Sequence, residues 1–98
     1  KDPKAYTNRG RHYEEKGDVE KAFEDFSKAI ELEPSNPSAY NNRGNLLTEM
    51  GYHQEALEDF HKAIGLNSKF AAAYNSRAGL LKQTGQNKQA LADYNRSI

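Results

Sequence analysis

Apolar residues recur along this chain at helical intervals. Ala22, Phe23, Phe26, Ala29 and Ile30 fall three or four residues apart or side by side, and Ala56, Leu57, Phe60, Ala63 and Ile64 repeat the arrangement. Such spacing lays one broad apolar stripe along a helix. Charged residues such as Glu20, Lys21 and Lys28 fill the positions between, as on a solvated outer face. Upstream, Tyr6, Gly10 and Tyr13 form a second, sparser stripe. Gly17, Gly51 and Gly85 stand where such helices must stop, because glycine adopts the left-handed conformation without a Cβ clash. The pattern predicts three helix pairs, over 4–16 and 19–32, 38–50 and 53–66, and 71–84 and 87 to the chain end. Pro34 and Pro37 bracket the break after the first pair, since proline disfavours helix in the residue before it.

The pairs are copies of one another. With residues 3–36 set above 37–70 and 71–98, Tyr6, Tyr40 and Tyr74 align, as do Arg9, Arg43 and Arg77. Gly10 and Gly44 align with Ala78, Ala22 and Ala56 with Ala90, Phe26 and Phe60 with Tyr94, and Ile30 and Ile64 with Ile98. Sixteen of the 34 positions are identical between the first two copies, too many for chance. Each copy is therefore one helical hairpin, stacked on the next. Gly10, Gly44 and Ala78 are expected at the closest approach of the two helices, facing Ala22, Ala56 and Ala90.

The copies carry Tyr6-x₂-Arg9-Gly10-x₂-Tyr13, Ala22-x₃-Phe26 and Pro34, then Tyr40, Arg43-Gly44, Leu47 and Ala56-x₃-Phe60, then Tyr74, Arg77-Ala78, Leu81 and Ala90-x₃-Tyr94. In this the chain resembles the tetratricopeptide repeat family, with Ser68 where the second proline is expected. The resemblance spans nearly the whole chain. It implies an all-α fold of antiparallel hairpins stacked as a right-handed superhelical solenoid. It also implies a concave groove, lined by the first helix of each hairpin, that holds a peptide segment.

One departure from the family pattern is informative. Arg9, Arg43 and Arg77 fill a slot where leucine is usual, and Asp25, Asp59 and Asp93 follow each by sixteen residues. Across a hairpin, that separation sets guanidinium opposite carboxylate, which suits a structural ion pair. The competing reading is an arginine that reaches a ligand carboxylate. With Tyr6 and Gly10 turned inward, the opposite stripe holds Lys4, Thr7, Asn8, Arg11 and Glu14, then Ser38, Asn41, Asn42, Asn45 and Thr48, then Ala72, Asn75, Ser76, Gly79 and Lys82. Its binding candidates are Lys4, Asn8, Arg11, Asn41, Asn42, Asn45, Asn75, Ser76 and Lys82. An asparagine amide both donates and accepts, as the main chain of an extended peptide does. In some family members asparagines at the places of Asn8 and Asn42 form a ladder along the groove; Ser76 breaks the series here. The plainer reading is a solvated surface, although Asn41, Asn42 and Asn45 cost helix stability. Other members grip a chaperone's C-terminal carboxylate with lysines, asparagines and an arginine. Only Asn42 matches that set, with Thr7, Arg11, Ala72 and Ser76 at the other places, which argues against chaperone tails as ligands.

Composition narrows the remaining classes. Fourteen Lys and Arg balance fourteen Asp and Glu, so no basic excess exists to neutralise nucleic-acid phosphates. The apolar runs, such as Phe70 to Tyr74, are too short to cross a membrane. No cysteine is present for disulfides or thiol chemistry. His12, His53 and His61 sit at unrelated places in the repeat, so neither a metal nor another cofactor is expected. Glu14 and Glu15 are neighbours on one helix and do not face each other, and no opposed acid–base pair for an enzyme is visible. Asn95-Arg96-Ser97 fits a glycosylation sequon by chance, within a predicted helix. The chain is thus expected to be a single domain over 1–98, a cytoplasmic scaffold or adaptor that binds a protein or peptide. The alternative is a self-association or spacer segment. Leu91, Tyr94 and Ile98 recur at helical spacing with no shielding helix after them, which suggests a piece of a longer array and association of copies through that face.

Overall fold

The structure, a computed structural model, describes residues 2–83. They form five helices: α1 (Pro3–Glu15), α2 (Val19–Leu32), α3 (Pro37–Met50), α4 (His53–Leu66) and α5 (Ala71–Gln83). The fold is an all-α helical repeat. The predicted sixth helix, with Gly85, Ala90, Leu91, Asp93, Tyr94, the Asn95 sequon and Ile98, lies outside the described residues.

Local chemistry sets the helix ends. Pro3 and Pro37 open α1 and α3 at a position where a missing N–H costs nothing. Asp2 and Asn36 cap those helices, each side chain accepting from the backbone N–H two residues on. Asp18 caps α2 through Lys21 N. Gly17 and Gly51 turn the chain at φ of 85° and 89°, conformations that a side chain would strain. Within each hairpin the helices pack along their length, and α2 then packs on α3, α4 on α5, and α3 beside α5.

The core runs along this stack. Phe26 and Phe60 are sealed from solvent, together with Leu46 and Leu80. Full burial of such a side chain contributes about 1.5–3 kcal/mol. Ile30, Ala39, Tyr40, Ala63 and Ala73 join successive hairpins in one cluster. The helix crossings differ from the expectation that alanine faces glycine. A Cβ on Gly10 would lie 2.7 Å from the Phe26 ring, and one on Gly44 would lie 2.6 Å from the Phe60 ring. The two glycines make room for a phenylalanine edge rather than for Ala22 and Ala56, because the aromatic ring reaches across the crossing further than a methyl group does.

Candidate functional site

The arginines define one wall of each hairpin. Arg9 donates from Nε and Nη2 to the two carboxylate oxygens of Asp25, both at 2.8 Å. Arg43 grips Asp59 likewise at 2.8 and 2.9 Å, and donates a third bond from Nη1 to Ser27 Oγ at 3.2 Å. Both aspartates are buried, and a buried carboxylate needs such a partner. The Asp25 hydrogen bond, and next its charge, hold Arg9 well above the ordinary arginine range. Arg43 is raised by its bond to Asp59 against the opposing effect of burial. Tyr6 and Tyr13 lie beneath the Arg9 guanidinium, at 5.6 and 6.0 Å from its centre. Asp93, the proposed partner of Arg77, lies outside the described residues. Arg77 does meet His61 Nδ1 at 2.9 Å. A guanidinium only donates, so in this contact the imidazole nitrogen is the acceptor.

Ser27 and His61 were not recognised in the sequence. Each stands sixteen residues before an arginine, as each aspartate stands sixteen after one. Arg43 thus joins its own hairpin to the one before, and Arg77 reaches back to α4 in the same register. The signal was present once the register was written out: Ser27 and His61 occupy the same repeat position.

The groove candidates distribute along α1, α3 and α5. Lys4, Asn8 and Arg11 are exposed on α1. Asn42 and Asn45 are half-buried on α3. Asn75 and Lys82 are exposed and Ser76 is half-buried on α5. Asn41 departs from the expected open stripe: it is 8% exposed, and its carbonyl oxygen has no hydrogen-bond partner. At 3.6 residues per turn it lies between Asn45 and Thr48 around α3, so its burial comes from the stack rather than from its place on that helix. The side chains of Asn8, Asn42 and Asn45 also make no hydrogen bond among the described residues. The asparagines at helix ends behave differently. Asn36 donates to Glu33 and accepts from Ser38 N, and Asn67 accepts from Lys69 N. The Thr7 and Thr48 hydroxyls are consumed locally, bonding the carbonyls of Pro3 and Gly44.

An opposed carboxyl pair corrects the reading of Glu14. It faces Glu49 of the neighbouring first helix, not Glu15. Burial, then the hydrogen bond and charge of Glu49, push the Glu14 carboxyl up to about 7, with Arg11 opposing. Near neutral pH the Glu14 carboxyl is therefore protonated for part of the time. The pair was missed because it joins different repeats at positions one residue out of register.

Among the described residues no group of three or more His, Cys, Asp or Glu could hold a metal ion, and no helix is long and apolar enough to cross a membrane.

No curated protein matches this sequence. Solved structures do match. The first TPR of Spaghetti (RPAP3), bound to the HSP90 peptide SRMEEVD, superposes with a TM-score of 0.92 at 23% identity, over 97% of this chain and 75% of that one. The Arabidopsis OM64 TPR domain gives 0.92 at 25%, over 97% and 78%. MamA gives 0.91 at 24%, over 98% of this chain and 56% of its own, so the chain spans little more than half of MamA. Residues 5–51 match a family described as TPR repeat, and residues 37–70 and 71–98 each match one described as Tetratricopeptide repeat. With the 34-residue period, the hairpin stack and these matches in agreement, the chain belongs to the tetratricopeptide repeat family.

Proposed function

We propose that this chain is a protein-interaction module that holds an extended peptide segment in the groove of α1, α3 and α5. The contacts come from Asn8, Asn41, Asn42, Asn45, Asn75 and Ser76, with Lys4, Arg11 and Lys82 at the margins. The observation that carries this reading is the contrast between two sets of asparagines. The side chains of those at helix ends are hydrogen-bonded within the chain, whereas the side chains of Asn8, Asn41, Asn42 and Asn45 make no such bond among the described residues. A row of unused amides suits a main chain that offers an N–H and a C=O at every residue. Arg9 and Arg43 have their carboxylate partners within the hairpin and act as structural members. The binding of an HSP90 peptide by the Spaghetti domains supports peptide capture as a use of this fold. A chaperone tail is not the expected ligand here, since Thr7, Arg11, Ala72 and Ser76 replace the carboxylate-gripping residues.

A peptide-array screen tests the proposal, with hits measured by fluorescence anisotropy against the chain and Asn42→Ala. Loss of a bonded amide is worth about 1 kcal/mol, roughly a fivefold weaker affinity. Binding should change little with salt, because the groove presents no charge cluster. The SRMEEVD peptide should fail to compete. An affinity that collapses at high salt, or that is indifferent to Asn42→Ala, refutes the amide groove.

A further inference from the structure

One cavity lies away from the groove candidates of α1, α3 and α5. It has a volume of about 460 Å³, within the ~300–1,000 Å³ typical of ligand sites, and opens between α2 and α4. Phe23, Leu47 and Met50 supply apolar wall, Tyr52 forms a lip, and Glu55 and Glu58 supply charge. Arg43, Leu47 and Met50 occupy one side of α3, and Ser38, Asn45 and Thr48 the opposite side, so the thickness of that helix separates cavity from groove.

Two features mark this cavity as more than a packing seam. The first is Tyr52. Its backbone, at φ −89° and ψ 70°, matches that of Asp18 at φ −89° and ψ 77°, and both are helix N-caps. Asp18 accepts a hydrogen bond from its helix; Tyr52 provides none, and its side chain stands 51% exposed. A cap has been given up for an aromatic ring at the mouth of a cavity. The backbone beneath it is well anchored, with Tyr52 N donating to Leu47 O and Ala56 N to Tyr52 O. The second is charge. Arg43 neutralises Asp59, but among the described residues neither Glu55 nor Glu58 has a cationic partner. The repeat architecture does not demand this chemistry. In the first copy Lys16, Asp18 and Lys21 stand in place of Met50, Tyr52 and Glu55, and in the third Thr84, Gln86 and Gln89 do. Lys21 even bridges to Asp18, at 3.9 Å, where Glu55 and Tyr52 leave the corresponding places open.

We infer that this cavity is a second docking site, one that takes an arginine side chain and its apolar neighbour from a basic segment of a partner protein. A net negative mouth in a chain of zero net charge selects a cation. Aromatic and apolar walls select one with a flat, weakly hydrated head and an aliphatic stem, and guanidinium meets that better than ammonium. Its fork can bond the Glu55 and Glu58 carboxylates while its plane stacks on Tyr52. The neighbouring apolar residue covers Phe23 and Met50.

The test uses the whole chain, ¹⁵N-labelled, titrated with a short Gly/Ser peptide that carries one arginine flanked by leucines, and with its glutamate counterpart. Amide shifts are expected at Phe23, Tyr52, Glu55 and Glu58, with the Asn42 and Asn45 amides unmoved. The glutamate peptide should not bind. Glu55→Gln with Glu58→Gln, both at exposed sites, should weaken the arginine peptide at least tenfold while leaving the melting temperature and groove binding unchanged. Tyr52→Ser should weaken it as well. Shifts confined to the groove, equal binding of the glutamate peptide, or no response to the double variant would each overturn the inference. So would concentration-dependent shifts at Tyr52 without peptide, which would assign the face to a second copy of the chain.

Discussion

Glycine-to-alanine substitution should stabilise the chain at one helical position and fail to do so at another. In a helix interior alanine is favoured over glycine by about 1 kcal/mol from backbone entropy alone. Gly79, within α5, has nothing within 4 Å of where its Cβ would lie. Gly79→Ala should therefore stabilise the chain by about 0.5–1 kcal/mol, a rise of several degrees in Tm for a domain of this size. At Gly44 the same Cβ would meet Phe60 carbons at 2.6, 2.8 and 3.1 Å. Those atoms belong to a rigid ring that is 0% exposed, so it cannot swing aside without disturbing the core. Overpacking of this kind costs about 1–3 kcal/mol, enough to cancel or exceed the helical gain. Gly44→Ala should thus be neutral to about 2 kcal/mol destabilising. Adding Phe60→Leu should remove the clash, so the double variant should be more stable than additivity predicts. Chemical denaturation of the parent, the three single variants and the double variant reads every term. If Gly44→Ala stabilises as much as Gly79→Ala, or the double variant is simply additive, the ring edge does not set the helix crossing.

Three further outcomes are expected. Arg43→Ala should lower Tm more than Arg9→Ala, because the Arg43 side chain is 23% exposed against 57% and also binds Ser27 of the preceding hairpin; the reverse order in a thermal melt would discount the inter-hairpin bond. The folded-state pKa of Glu14, about 7, stands above its ordinary 4.5, so the native state holds a proton that the unfolded chain has released. That contribution is present below pH about 4.5 and is lost as pH rises to about 7; Glu14→Gln should match the parent at pH 4 and exceed it at pH 8, and identical melting profiles across that range would refute the pairing with Glu49. Tyr52→Asp should raise stability by about 1 kcal/mol through the restored cap, measured by denaturant midpoint. No gain there would mean that Tyr52 forgoes nothing.

The fold was legible because its determinants are local. The spacing of Ala22, Phe26 and Ile30, the stops at Gly17 and Gly51, and the 34-residue register each act within a hairpin or between identical positions of adjacent ones. The arginine–aspartate pairs that the structure places together, Arg9 with Asp25 and Arg43 with Asp59, lie on that same regular lattice. What escaped depends on how far one hairpin is offset from the next. Asn41 looks open on α3 alone and is buried in the stack. Glu14 meets Glu49 only after the neighbouring first helix is set one residue out of register. His61 looked like a stray histidine until Arg77 of the following hairpin reached it.

Positions where the copies agree and positions where they differ therefore carry different information. Every hairpin must solve the same packing problem, so Tyr6 and Tyr40, Arg9 and Arg43, and Phe26 and Phe60 recur. A binding surface is free to depart from the repeat, because its ligand need not share the 34-residue period. Where the surrounding backbone is the same but the side chain changes, packing cannot explain the choice. Tyr52 is such a case: its dihedral angles are those of Asp18, an aspartate there would cap the helix, and tyrosine leaves the cap unfilled. The reversal of charge from Lys21 to Glu55 is another, one helical turn further along the same face. Asn45 in place of Arg11 does the same in the groove. Departures of this kind, at fixed backbone geometry and with no gain in packing, underlie the two surfaces proposed on opposite sides of α3, one for a peptide main chain and the other for a basic side chain.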